Sequence, residues 1–361
     1  MASTTNQVWT LPRPSERKSF DDLKLKERPM PKPAPTQVLI KVHAVSLNYR
    51  DLIIAQGQYP LEQKDDELIP ASDGAGEIVD VGERVKAEGR WKAGDRVMGI
   101  FTQKHLSGST ARAADLSSTL GGGVDGMLAQ YVVLEEYGIV RIPSHLSYEQ
   151  AATLPCAAVT AYNALYGIPS HQLRAGDTVV AQGTGGVSVF ALQLAVAAGA
   201  QTVITSSSDD KLRKVVSLVP EPLRHLVHTF NYKSDPHWDK KVLEVTGGLG
   251  ADHIVEVGGP GTLEKSFQSV KQGSVISTIG FVAKGDGEPV NVALHALVKG
   301  AIFRGLLVGS RDQFEHMNAI LELHRIVPAV DRVFDYHDAA KAYQHQWSQA
   351  HVGKVVIRVA A

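Results

Sequence analysis

Residues 177–200 read DTVVAQGTGGVSVFALQLAVAAGA, and this stretch decides the fold. An apolar β-type run, Thr178 to Ala181, meets a cluster of Gly183, Thr184, Gly185 and Gly186. A helix-period apolar run follows, from Val187 through Phe190, Ala191, Leu194 and Ala195. Strand, tight glycine turn and helix N-terminus together make an anion site, because unpaired backbone N–H groups and the helix dipole aim at one spot. Glycine also lets the backbone come close to a pyrophosphate. Ala181 stands where the first glycine of the usual G-x-G-x-x-G would be. A second β-type run at Thr202 to Thr205 supplies the missing context and predicts a dinucleotide site.

The end of that second run selects the dinucleotide. Folds that prefer NAD place an acidic residue there to bind the ribose 2′-OH. Here the residues are Ser206, Ser207 and Ser208, with Lys211 one helical turn on. Hydroxyls and an ammonium suit a 2′-phosphate, which a carboxylate would repel, so the expected cofactor is NADP(H). Ser208 or Asp209 can also cap the next helix. Asp209 and Asp210 fit the phosphate only if they point away from it.

Composition narrows the rest. A chain of 361 residues has room for two domains and a large core. With 37 basic and 38 acidic residues it carries no electrostatic footprint for nucleic acid or an anionic membrane. The single cysteine, Cys156, excludes an internal disulfide and any multi-cysteine zinc site. No apolar leader and no membrane-spanning run is evident, so a cytoplasmic location is expected.

The first 150 residues read as short, glycine-punctuated strands, with candidates at Val38 to Val45, Gly76 to Val81, Arg96 to Ile100 and Gln130 to Leu134. Pro29, Pro31, Pro33 and Pro35 suggest an extended lead-in, and Thr102 to Gly126 a long surface loop. From about Leu154 to Leu307 strands alternate with helices, which implies a doubly wound parallel sheet. Two helices, Gln313 to His324 and Ala339 to Ser348, then precede a last strand, Lys354 to Val359.

Several segments in order resemble the medium-chain dehydrogenase/reductase superfamily. They are Asp73-Gly-Ala-Gly-Glu-Ile-Val, Gly94-Asp-Arg-Val, Gly126-Met-Leu-Ala-Gln-Tyr and the glycine turn, then Glu256-Val-Gly-Gly, Ile279-Gly-Phe, Val308-Gly-Ser-Arg and His351-Val-Gly-Lys-Val-Val-Ile. Within it the chain is most similar to the quinone-oxidoreductase and zinc-type alcohol dehydrogenase-like branch. The resemblance implies an α/β protein with a GroES-like β-rich catalytic domain from both chain ends, 1–155 and 311–361. A Rossmann domain at 156–310, with a cleft between the two, completes it. It also implies a homodimer through Rossmann edge strands, with Ala301 to Leu307 as the candidate edge.

Zinc-dependent relatives carry a cysteine ligand where Asn48 stands, a histidine where Ser72 stands, and a third ligand that coincides with Cys156. One thiolate cannot replace three protein ligands, so a zinc-free member is expected and Cys156 reads as a small buried hydrophobe. Without a Lewis acid, the chemistry implied is NADPH-dependent hydride transfer to a small quinone, enone or other activated C=C substrate. Asn48, Tyr49 and Tyr59 are the candidate catalytic donors, with Arg50 beside them. Arg50 could instead pair with Asp51, and Tyr59 could simply pack at a turn. Further cofactor contacts implied by the resemblance are Thr160, Tyr232, Gly258, Phe281, Gly309 and Lys354, the last of which could equally be a solvated surface lysine. Two rivals stay open: an NADP-dependent alcohol dehydrogenase or carbonyl reductase, and a non-enzymatic NADPH-binding protein.

Overall fold

A computed structural model describes residues 4–280 and 289–360. The chain divides into two compact units, Met1–Val159 with Gly309–Ala361, and Thr160–Val308.

The first unit is built on mostly antiparallel strands, with one parallel pair near its C-terminal end. In chain order they are β1 (Thr5–Thr10), β2 (Lys24–Pro29), β3 (Gln37–Ser46), β4 (Asp73–Val81), β5 (Arg96–Gly99), β6 (Tyr131–Glu135) and β7 (Ile139–Arg141). The second unit contributes β8 to β13, after which the chain returns with β14 (Val330–Asp335) and β15 (Lys354–Arg358). β1 and β2 form a hairpin, and the main sheet runs β14-β15-β3-β4-β5-β7 with β6 also paired to β3. Its core includes Val8, Ile40, Leu52, Ile78, Leu128, Tyr343 and Ile357.

The glycines of Asp73-Gly-Ala-Gly are explained by this pairing. A Cβ at Gly74 would stand 2.7 Å from Met127, and one at Gly76 only 2.2 Å from the carbonyl oxygen of Lys41. The register of β3 against β4 shifts at this point, between Val42 and Ala44, so the backbones crowd where a side chain cannot fit.

Thr102–Gly126 departs from expectation. It carries a 3₁₀ helix, Ala113–Ser118, and buries Thr102, His105 and Leu120. Arg50 draws it inward, donating to the Leu120 carbonyl at 2.9 Å and to Thr119 Oγ1 at 3.1 Å. The N-terminal hairpin was also unforeseen, and its second strand ends at Pro29, where the proline-rich stretch begins.

The second unit has β8 (Thr178–Gln182), β9 (Gln201–Ser206), β10 (Val227–Asn231), β11 (Ala251–Glu256), β12 (Val270–Thr278) and β13 (Ile302–Gly305). All five pairings are parallel, in the order β10-β9-β8-β11-β12-β13. This is the doubly wound Rossmann order expected from the strand–helix alternation. The order reverses between β8 and β11, and open α/β sheets bind ligands at the carboxyl ends of strands at such a switch point. Among the described residues no helix is long and apolar enough to cross a membrane.

Candidate active site

At the end of β8 the glycine turn takes the form the sequence demands. Gly183 has φ 76°, which disfavours any side chain, and Gly185 opens the helix Gly186–Ala197 as its N-cap. A Cβ built on Gly183 or Gly185 meets nothing within 4 Å, so space is left open at this helix N-terminus. Internal bonds hold the turn from behind. Gly183 N–H donates to Thr205 Oγ1 at 3.4 Å, and Ser188 Oγ donates to the Gln182 carbonyl at 2.6 Å. Thr184 is buried and Val187 half-buried. Gly183, Thr184, Gly185, Gly186 and Val187 are the residues that could hold a pyrophosphate here.

At the end of β9, Ser206 lies in register with Asn231 of β10. Its carbonyl accepts from Tyr232 N–H at 3.0 Å, and its hydroxyl accepts from Ser208 N–H at 3.3 Å. Ser208, not Asp209, caps the helix Asp209–Ser217, accepting from Lys211 N–H at 3.4 Å. Ser206, Ser207, Lys211 and Tyr232 are thus gathered at one strand end. Asp209 accepts from Asn231 Nδ2 at 2.9 Å, and Asp210 is paired with Arg213. Both acids have partners of their own.

Sequence reasoning missed the support behind Gly258. Glu256, fully buried, accepts from the N–H groups of Gly258 and Gly259 at 2.9 Å each and from Gln182 Nε2 at 2.7 Å. Thr262 and Ser266 also donate to it. Gln182 Oε1 in turn accepts from Gly258 N–H at 3.2 Å. This buried carboxylate ties the end of β8 to the loop after β11. The only sequence signal was an acidic residue closing an apolar strand.

In the first unit, Asn48, Ser72, Asp73 and Lys354 form a closed hydrogen-bonded ring. The Lys354 ammonium donates to the Leu47 carbonyl at 2.7 Å, to Asp73 Oδ2 at 3.3 Å and to Asn48 Oδ1. Asn48 Nδ2 donates to Ser72 Oγ at 3.3 Å, and Ser72 Oγ donates to Asp73 Oδ1 at 3.1 Å. Lys354 is 2% exposed, so the surface alternative is excluded. Burial pushes the Asp73 carboxyl above its usual range, against the pull of the Lys354 ammonium and the bonds from Asn48 and Ser72. Backbone strain sits next door, because Ala71 holds φ 68° without being glycine.

This donor set does not fit zinc. An amide, a hydroxyl and one thiol replace the required thiolate and imidazole ligands, and a buried ammonium among them repels a cation. Among the described residues no group of three His, Cys, Asp or Glu side chains is placed to hold a metal. Cys156 lies in a π-turn, Leu154–Ala158, and keeps partial exposure rather than being enclosed as expected. Burial of its surroundings, followed by Asp73, drives its thiol far above the ordinary value, so it stays S–H.

The other candidates are not joined to the ring. Tyr49 stacks on Trp347, with centroids 6.3 Å apart and planes 3° off parallel. Tyr59 packs under the Arg50 guanidinium, 5.1 Å from its ring centre. Arg50 bonds to Leu120 and Thr119 instead of pairing with Asp51. Thr160 is buried on the helix Val159–Tyr166. Gly309 follows Val308, which is strained at φ 55°, and a Cβ on Gly309 would stand 2.5 Å from Gln313. Phe281 lies outside the described residues.

Comparison with known proteins bears on both units. A family model described as alcohol dehydrogenase GroES-like domain matches residues 34–144, and one described as zinc-binding dehydrogenase matches residues 186–322. A zinc-type alcohol dehydrogenase-like protein of Schizosaccharomyces pombe is 44% identical over 95% of this chain and 97% of its own length. A quinone oxidoreductase of Lama guanicoe is 29% identical over 91% of this chain and 90% of its own. The crystal structure of a putative alcohol dehydrogenase from Sinorhizobium meliloti 1021 superposes with a TM-score of 0.85 at 35% identity, covering 99% of this chain and 100% of that one.

Asp51 gives a test of the site's electrostatics. Its Oδ2 accepts from Asn48 N–H at 2.7 Å, and burial raises its pKa to about 6 despite Arg50. A folded-state pKa above the unfolded value means the folded state binds the extra proton, so stability falls as pH rises from about 4 to 6. Asp51→Asn is expected to abolish that slope and to gain about 3 kcal/mol at pH 7, read by urea unfolding across this range. An unchanged slope would contradict the assignment.

Proposed function

The chain belongs to the medium-chain dehydrogenase/reductase superfamily and is an oxidoreductase that takes a nicotinamide cofactor; from this premise we propose an NADPH-dependent, metal-independent reductase of quinones, enones and related activated alkenes. The observation that carries the proposal is the ring of Asn48, Ser72, Asp73 and Lys354. Oxidising an alcohol calls for a Lewis acid to stabilise the alkoxide, and this ring offers none. Reducing a conjugated acceptor needs only a donor for the oxygen that becomes negative.

When bound, the reduced nicotinamide supplies the hydride. Hydride addition at an electrophilic carbon would send the displaced π pair to the conjugated oxygen, so the chain's own part would be a donor to that oxygen, with water closing the protonation. Asn48 is the donor to that oxygen. Tyr49 and Tyr59 flank the region as packing groups. Gly183, Thr184, Gly185, Gly186 and Val187 would hold the pyrophosphate. Ser206, Ser207, Lys211 and Tyr232 would hold the 2′-phosphate, with Asp209 and Asp210 drawn off by Asn231 and Arg213. Thr160, Gly258, Phe281, Gly309 and Lys354 complete the proposed cofactor set, Lys354 acting through the ring rather than by direct contact.

The proposed partner is a second copy of the chain. β13 is the open edge of the parallel sheet, and the neighbouring helix Val292–Lys299 exposes Leu294, Leu297 and Val298. Light scattering is expected to give twice the chain mass, and Ile302→Pro on the edge strand to give the monomer. A monomeric parent would sink this assembly.

Cofactor choice is tested by following NADPH and NADH oxidation in parallel against a quinone and an enone. Preference for NADPH is expected. Ser206→Asp should cut the NADPH-to-NADH ratio of kcat/KM at least about tenfold, by placing a carboxylate against the phosphate. Equal use of NADH by the parent, or turnover with alcohols alone, would overturn the proposal.

A further inference from the structure

Gln182 and Glu256, the last residues of β8 and β11, are both buried, and their side chains meet. Hydrogen bonding fixes which way round they meet. Gln182 Oε1 accepts from the N–H groups of Val257 and Gly258 at 3.2 Å each. A backbone N–H can only donate, so the amide oxygen must face the loop. Nε2 is then left to donate to Glu256 Oε2 at 2.7 Å and to Ser266 Oγ at 2.9 Å. Glu256 Oε1 accepts from Gly258 N–H and Gly259 N–H at 2.9 Å each. Both oxygens of Glu256 thus face donors that cannot reverse. The loop is shaped around this carboxyl group: Gly259 adopts φ 74°, and a Cβ on Gly258 would stand 2.3 Å from Thr262 Oγ1, which also donates to Glu256.

The pair fixes the loop 257–259 against the end of β8, where Gly183 begins the glycine turn. These two strands flank the point at which the strand order reverses. We propose that Glu256 is a positioning residue for the nicotinamide cofactor: through Gln182 and the Gly258 and Gly259 N–H groups it sets the loop after β11 and the glycine turn at one spacing before the cofactor arrives. This rests on the reading of the glycine turn and Gly258 as cofactor contacts. Glu256 itself touches no cofactor, because it is fully buried and both its oxygens are engaged. Its effect is preorganisation, which raises affinity by taking the cost of ordering the loop out of the binding step.

Glu256→Gln is isosteric, yet it puts an NH2 group where every fixed neighbour donates. Neither flip of the new amide, nor a flip of Gln182, restores the pattern. The exchange variant Gln182→Glu/Glu256→Gln does restore it. The exchanged carboxyl group then accepts from Val257 and Gly258 on one oxygen and from the exchanged amide on the other, while the amide oxygen keeps the Gly258 and Gly259 N–H groups. Fluorescence titration of the full chain with NADPH is expected to show Kd raised about tenfold in Glu256→Gln and returned to within about twofold of the parent in the exchange variant. The melting temperature without cofactor is recorded alongside. A role in stability alone would lower the melting temperature of Glu256→Gln and leave its Kd parental, which overturns the proposal. A folded exchange variant that binds NADPH as weakly as the single variant overturns it too. If Glu256→Gln does not fold, the exchange variant decides: parental Kd supports the pairing, and weakened binding by the folded protein overturns it. A parent that binds neither NADPH nor NADH would overturn the cofactor reading itself and this role with it, so the parent tells the two failures apart.

Discussion

Lys354 and Asp73 are both withdrawn from water, and neither charge could stand there alone. Removing one partner from such a pair costs about 3–5 kcal/mol, because the other is left buried and uncompensated. The pair therefore dictates its surroundings. β15 delivers Lys354 and β4 delivers Asp73, each beside a different edge of β3. The residues that follow β3 supply the Leu47 carbonyl and the Asn48 amide, which take up the remaining ammonium hydrogens. Asn48 can serve the ring because its own backbone N–H is satisfied by Asp51, one turn into the helix Tyr49–Ala55. Chain segments some 300 residues apart in sequence are thus committed to one arrangement.

The second unit meets the opposite electrostatic problem. In the proposed reading its glycine turn faces an anion, a role that an acidic side chain crowding the helix N-terminus would oppose. The buried carboxyl group of Glu256 is engaged by five donors. That network braces the loops at the switch point.

The parallel sheet was legible because each of its strands and turns carries a local signal, and a glycine at φ 76° can be recognised from its neighbours alone. The reading of Asn48 and Ser72 as standing in for zinc ligands rests on the family pattern alone and stays a proposal. Burial of Lys354 could not be read. A lysine opening the run Lys-Val-Val-Ile looks like a strand end reaching for solvent, and its acceptors lie at positions 47, 48 and 73. Thr102–Gly126 misled for a related reason. Its polar, glycine-rich composition reads as surface, yet Gly121 and Gly126 pack against the Ala71 backbone so closely that a Cβ on either would collide with it.

The central claim is that a protein ammonium stands where zinc-dependent relatives keep a metal. Metal analysis of protein produced with ample zinc and then dialysed tests it most directly. The account predicts far less than one zinc per chain and NADPH oxidation undiminished by a chelator. Stoichiometric zinc that survives dialysis, with activity lost to the chelator and restored by the metal, would contradict it.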